Sequence, residues 1–306
     1  SEKQNNVAPC QIFQTNMSTA NSEILPYLPP KSALRKKISY ARKGIQPSET
    51  QSLENLEIPE NLCKTLREEL FRVRDSTVGD GRILLFTTKT NIEHLVSASY
   101  WIMDGTFKTV PNIFYQLYTI HASVGNENLR VLPMVFALMS SKCQEIYKHV
   151  FEDLIDYADE NGIELRPRTI LTDLELAARN ATKSEFPAAN NKVCFFHFAQ
   201  CVWRKIQTTG LASRYGVDEE FNLSLRNLSA LAFIFSEEIP QAFDILKQHL
   251  PTEASGVIEW FENNYVHGRV RRHMRNGRVL RSPPLFPPTL WSVYDSIQSE
   301  IPRTQN

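Results

Sequence analysis

Charge imbalance is the first thing this chain lacks. Its 34 basic residues meet 34 acidic ones, for a formal net charge of zero. That excludes a globally basic nucleic-acid binder but not a local basic surface, so the placement of charge matters more than its sum. Long apolar runs are missing too. The most apolar stretches, VLPMVFALM and LSALAFIF, are far shorter than a bilayer requires, and the opening SEKQNNVAPCQ has no apolar signal segment. Neither secretion nor a membrane span is expected. Cysteine is scarce: Cys10, Cys63, Cys143, Cys194 and Cys201 are odd in number and irregular in spacing. This points to reduced thiols in an intracellular compartment rather than a disulfide framework. No internal repeat or low-complexity tract stands out.

What is present is a chain of 306 residues, 42% of them hydrophobic. It is long enough for one full core with an appended or inserted subdomain, or for two modest domains. It starts at Ser1 without a methionine and stops at a polar Asn306, as a fragment of a longer protein would. Residues 1–47 read as a polar, disordered arm with a basic end, KSALRKKISYARK, which is either a phosphate-touching helix or a solvated face. Residues 48–81 read as a helical segment, since IPENLCKTLREELF opens at Pro59 and repeats Leu62, Leu66 and Leu70.

From residue 82 the texture changes. RILLFTT, SYWIMDGTF, FYQLYTIHASV and RVLPMVFALMS are rich in β-branched and aromatic residues and are divided by turn signals, GNEN among them. QEIYKHVFEDLIDYADENG then changes period, with Ile146, Val150, Leu154 and Ala158 on one helical face. The strand RTILTDLEL follows, then NKVCFFHF, a strand running into the helix AQCVWRKI. Three meandering strands before a helical crossover predict an α/β domain with a mixed sheet and flanking helices. After Arg204 strand signals vanish. Residues 205–285 read as a helical subdomain with an arginine-rich end, and 286–306 as the start of a return to the core.

Asp104 in SYWIMDGTF and Asp173 in RTILTDLELAARNA both follow apolar strands. Each is open to two readings. An acid there can turn the chain or cap a helix, or it can sit at the carboxyl end of a strand, where open α/β sheets place ligands. Two such acids on adjacent strands would gather a divalent cation. Cys194, His197 and Cys201 have a spacing that invites zinc, but a structural zinc site needs four ligands and no second pair is present. The reading is a buried cysteine beside a hydrogen-bonded histidine, and zinc is not expected in this segment. Arg269, Arg271, Arg272, Arg275, Arg278 and Arg281 either neutralise DNA phosphates or form a basic loop with no partner. Trp203, Trp260, Phe261 and Trp291 read as packing residues.

DGTFKTVPNIFYQLYTIHA, the TD-x-E-x-A form of TDLELAARNA, and C-x-x-H within VCFFHFAQCVWRK occur in that order. Together they resemble the transposase domain of Mutator-like elements, the MULE family. The resemblance implies an RNase H-like mixed sheet, residues 82–204, interrupted by an all-helical insertion. It implies a DDE triad binding Mg²⁺ or Mn²⁺ for cleavage and strand transfer at transposon ends, with Asp104 and Asp173 as the first two acids. Cys194 and His197 fall on a family motif of unsettled role, and the arginines would hold DNA. Partners would be transposon-end and target DNA, with a homo-oligomer possible, in the nucleus. The third acid, a Glu in an Asn-x-x-Glu context, would fall three residues beyond Asn306, so this stretch is expected to be catalytically incomplete. Glu262, Asp295 and Glu300 are the substitutes inside the chain. Two alternatives stay open: a domesticated, non-catalytic DNA-binding regulator, and an RNase H-like nuclease unrelated to mobility.

Overall fold

A computed structural model describes residues 30, 32–33, 36–37, 52–107, 110–125, 130–275 and 277–298. The chain divides into two compact units, Ser1–Asn55 and Leu56–Asn306. In the first, the Ala33 N–H donates to the Pro30 carbonyl at 2.8 Å. Most of the basic segment at 31–43, most of the GNEN turn, and Glu300 and Asn306 lie outside the described residues.

The second unit opens with β1 (Arg72–Val78), β2 (Gly81–Phe86), α1 (Lys89–Ser97), β3 (Trp101–Thr106), β4 (Gln116–Val124) and β5 (Arg130–Met139). Then come α2 (Gln144–Glu160), β6 (Thr169–Thr172), α3 (Leu176–Glu185), β7 (Asn190–Val193) and α4 (Phe195–Thr208). The seven strands form one sheet in the order β1-β2-β5-β4-β3-β6-β7. From β1 across to β3 neighbours pair antiparallel, whereas β3–β6 and β6–β7 pair parallel. Parallel neighbours require crossover connections, and here α2 and α3 supply them.

Side-chain periods explain these elements. Along α2, Ile146, Val150, Leu154 and Ala158 are all buried, the stripe of an amphipathic helix laid on a sheet. They pack on one sheet face with Trp101, Met103, Tyr118, Ile120 and Ile170. Tyr100, Ile102, Leu171 and Cys194 form a small cluster of their own. In α1 the Thr88 hydroxyl caps the first turn by accepting the Asn91 N–H at 3.2 Å. The indole N–H of Trp101 donates to the Leu95 carbonyl at 2.8 Å, tying α1 to β3.

Beyond α4 lie α5 (Ala212–Val217), α6 (Glu219–Ala230), α7 (Ile239–Lys247) and α8 (Ser255–Phe261), which runs into a π-helical turn at Glu262–Val266. A hairpin of β8 (Val270–His273) and β9 (Val279–Arg281) follows, then α9 (Pro288–Trp291) and α10 (Tyr294–Gln298). These elements enclose a second core that includes Phe198, Leu225, Phe243, Phe261, Tyr265 and Trp291. Phe198 stacks on Trp291 with ring centroids 4.7 Å apart and planes at 16°. Each such buried ring contributes on the order of 2 kcal/mol of transfer free energy. Trp260 and Trp203 pack against the same core, as their helical placement predicts. No helix among the described residues is long and apolar enough to cross a membrane.

The mixed α/β sheet with flanking helices is as expected; four local features are not. The leucine spacing at 62–70 makes no α-helix. A single 3-10 turn, Glu60–Leu62, is followed by irregular chain, and Leu62, Leu66 and Leu70 are 51, 87 and 55% exposed. A four-residue repeat forms a helix in a protein only where a core takes its face, and none does here. The sheet begins at Arg72, ahead of residue 82, because β1 is a charged edge strand whose Arg72 and Asp75 pair on the surface at 2.9 Å. Helix α1 occupies a stretch, KTNIEHLVS, that the strand-rich flanks obscure. Strands also return after Arg204, as β8 and β9.

Candidate functional site

Asp104 does not turn the chain. It lies within β3, opposite Thr119, and Gly105 continues the strand opposite Tyr118. The glycine serves a close approach instead. A Cβ at Gly105 would stand 2.7 Å from Oε1 of Gln116, a fully buried side chain that donates to the Tyr147 hydroxyl at 2.6 Å. The freed backbone N–H of Gly105 donates to Oδ1 of Asp104 at 2.9 Å and fixes the carboxylate.

Asp173 follows the last residue of β6. Its Oδ1 accepts the Glu175 N–H at 3.0 Å, so it is held where the strand turns into α3. The parallel register brings the two acids together. Ile102 pairs with Leu171, and both belong to the cluster with Tyr100 and Cys194. Two residues beyond this pair stand Asp104, still within β3, and Asp173, one residue past the end of β6, and a strand's side chains return to the same face every second residue. The acids therefore leave adjoining strands, whose spacing is about 4.8 Å, on one side of the sheet.

The electrostatics agree with that proximity. Burial pushes the Asp104 carboxyl above its ordinary value; His197 and the Gly105 N–H pull it down, Asp173 pushes it up, and His121 pulls it down. His197 is raised by Cys194 first, against burial, and further by Asp104 and Asp173. Cys194 itself is fully buried at the start of α4, its N–H donating to the Thr172 carbonyl at 2.8 Å. It thus joins β6 to the helix that carries His197. Cys201, one turn further on, is raised by burial and hydrogen-bonds Tyr265 in the second core.

Two side chains that the sequence reading did not single out belong to this neighbourhood. Burial raises the Glu175 carboxyl; Lys142, 4.0 Å away, lowers it, Asp173 raises it, and a hydrogen bond from Tyr147 lowers it. Its signal was the second acid of TDLEL. Arg179, on α3, lies 5.3 Å over the Phe286 ring; burial lowers it and Asp173 raises it. Its sequence signal is the i,i+4 spacing from Glu175 at the start of α3.

The two substitute acids among the described residues, Glu262 and Asp295, face cations of the chain itself. Glu262 is buried, accepts from Nη2 of Arg281 at 2.7 Å and pairs with Lys247. Asp295 is exposed, 3.9 Å from Nζ of Lys192. Five of the arginines, Arg269, Arg271, Arg272, Arg275 and Arg278, are exposed on or beside the β8–β9 hairpin, whereas Arg281 is half-buried against Glu262.

Among the described residues no three or more His, Cys, Asp and Glu side chains converge as a metal cluster. The donor chemistry at Asp104 and Asp173 still suits a hard cation, because Mg²⁺ takes one or two carboxylates and completes its shell with water and substrate phosphate oxygens. No curated protein matches the chain. Asp104, Asp173, Cys194 and His197 all fall within a segment, residues 100–201, that matches the MULE transposase domain.

Proposed function

We propose that this chain carries part of the catalytic centre of a MULE-type DDE transposase. It is an RNase H-like domain with a helical insertion, acting on transposon-end and target DNA in the nucleus. One observation supports the reading: Asp104 and Asp173, far apart in sequence, each lie two residues beyond the paired Ile102 and Leu171 of β3 and β6, and the charge of Asp173 acts on Asp104. The family match over residues 100–201 supports it.

In this reading Asp104 and Asp173 hold Mg²⁺ or Mn²⁺. The bound ion supplies Lewis-acid stabilisation of the phosphoryl centre and a nucleophile at neutral pH. The chain's own part is to hold the carboxylates ready. The N–H groups of Gly105 and Glu175 orient them. Tyr100, Ile102, Leu171 and Cys194 give an apolar floor beneath, and His197 acts on Asp104 electrostatically.

Mn²⁺ titration of the full chain tests this. Asp104→Asn and Asp173→Asn are each expected to weaken binding at least tenfold. The protein should nick terminal-repeat duplex with Mn²⁺ and lose that activity with either substitution. Unchanged Mn²⁺ affinity in both variants sinks the reading.

A further inference from the structure

Among the described residues, a dense run of basic charge lies on the arm formed by residues 269–282. Its described residues from 269 to 280 are all exposed. From Gly268 through Arg281 there are six arginines, no lysine and no acid. The strands pair Val270 with Arg281, Arg272 with Leu280 and His273 with Val279. The tip closes through Met274 N–H to the Arg278 carbonyl at 2.8 Å and Gly277 N–H to the Met274 carbonyl at 3.1 Å, with Gly277 at φ 78°. This is a β-ribbon, not a loop.

Its root is fixed by different chemistry. Gly268 sits at φ 82°, and a Cβ there would stand 1.7 Å from the Ser282 carbonyl oxygen. Arg281 donates to the Gly268 carbonyl at 2.8 Å and to Glu262 at 2.7 Å. Glu262 also pairs with Lys247 on α7, and His267 meets Asp244 on the same helix at 2.8 Å. The sixth arginine thus anchors the arm and does not face a partner.

An isolated two-stranded hairpin is marginal in water. This one adds self-repulsion among exposed guanidinium groups and leaves Val270, Met274, Val279 and Leu280 uncovered. A polyanion removes the repulsion. The exclusive use of arginine favours phosphate, which its planar fork grips bidentately. A two-stranded ribbon also fits the duplex major groove, roughly 12 Å wide. We propose that the β8–β9 ribbon is a duplex-DNA-contacting arm, with Arg271, Arg272, Arg275 and Arg278 on phosphates and Arg281 reserved as the lock at its root. This deepens, and rests on, the DNA-processing reading above.

The test is fluorescence anisotropy of the full chain with a labelled DNA duplex of about 20 base pairs across a salt series. Replacing Arg271, Arg272, Arg275 and Arg278 together with Ala is expected to weaken binding at least tenfold at low salt. The slope of log K against log salt should fall by up to roughly 0.9 per arginine removed. The melting temperature should hold in that variant and drop in Arg281→Ala. Unchanged affinity and slope in the quadruple variant overturns the proposal. So does stronger binding of single-stranded DNA, duplex RNA or an acidic peptide, which names another partner. Mn²⁺ titration of the quadruple variant separates the two readings: Mn²⁺ binding retained with DNA binding lost supports the arm independently, and the arm stands if only the aspartate variants fail to change Mn²⁺ affinity.

Discussion

Two kinds of buried acid coexist in this protein. Glu262, in the helical region, is the more deeply buried, yet it is answered by Lys247 and Arg281. Asp104 and Asp173, in the sheet region, are only half-buried, and among the described residues neither forms an ion pair with a lysine or arginine. Burying a charge is costly unless it is paired. An acid whose cost is met by cations is therefore part of the architecture. Two acids set side by side with backbone N–H groups as their hydrogen-bond donors, and with only His197 and Arg179 acting on them at longer range, hold a negative field that a cation would compensate more fully.

Substitutions at each kind of acid can break that contrast. The largest expected effect is at Glu262. Lys247 and Arg281 are 45 and 30% exposed and can recover water, so Glu262→Ala should cost less than a fully buried pair, about 2 kcal/mol. In thermal unfolding that is a drop of roughly 4–8 °C. A drop below about 1 °C would make the Glu262 cluster decorative. Asp104→Asn should do the opposite. It removes a half-buried charge that repels Asp173, so the metal-free chain should melt at the same temperature or higher while Mn²⁺ binding weakens. A clear loss of stability would place Asp104 in the same class as Glu262.

Asp153 on α2 offers the smallest and most graded test. Burial raises its carboxyl above the ordinary value, while a Ser76 hydrogen bond and the charges of Arg74 and His149 pull it down. The folded state therefore holds this proton more tightly than the unfolded state. Its stability contribution is present in full below the unfolded value, about 4, and is lost as pH rises through the raised folded value. The melting temperature of Asp153→Asn relative to the parent should be near level at pH about 4 and should climb toward neutral pH. A difference that stays flat, or shrinks on the way up, rejects burial as the dominant influence.

The same contrast explains how much the sequence revealed. The meander from β2 to β5, apart from the embedded α1, was legible because β-branched and aromatic residues mark strands strongly, and α2 because its apolar stripe lies against a sheet that was also legible. Leu62, Leu66 and Leu70 show the limit: periodicity reports a face, not whether anything covers it. β1 was hidden because RVRDSTV is an edge strand dressed in charge, and the β8–β9 hairpin because its Asn276-Gly277 turn signal is embedded in arginines. Asp104 and Asp173 could be picked out as strand-end acids, but their adjacency rests on the pairing of β3 with β6, which no local pattern encodes. Glu262 and Arg281 could not be matched in advance either, since long-range ion pairs leave no periodic trace.

The parallel join of β3 to β6 also sets an order of events during synthesis. A nascent chain that has released β3, β4 and β5 can close its antiparallel meander, yet it owns a single acid. The second arrives only when β6, carried back across the sheet by α2, docks beside β3. Long-range pairings of this kind form late. The acid pair is thus absent from a chain made only as far as β5, and it forms only as β6 joins the sheet that restrains it.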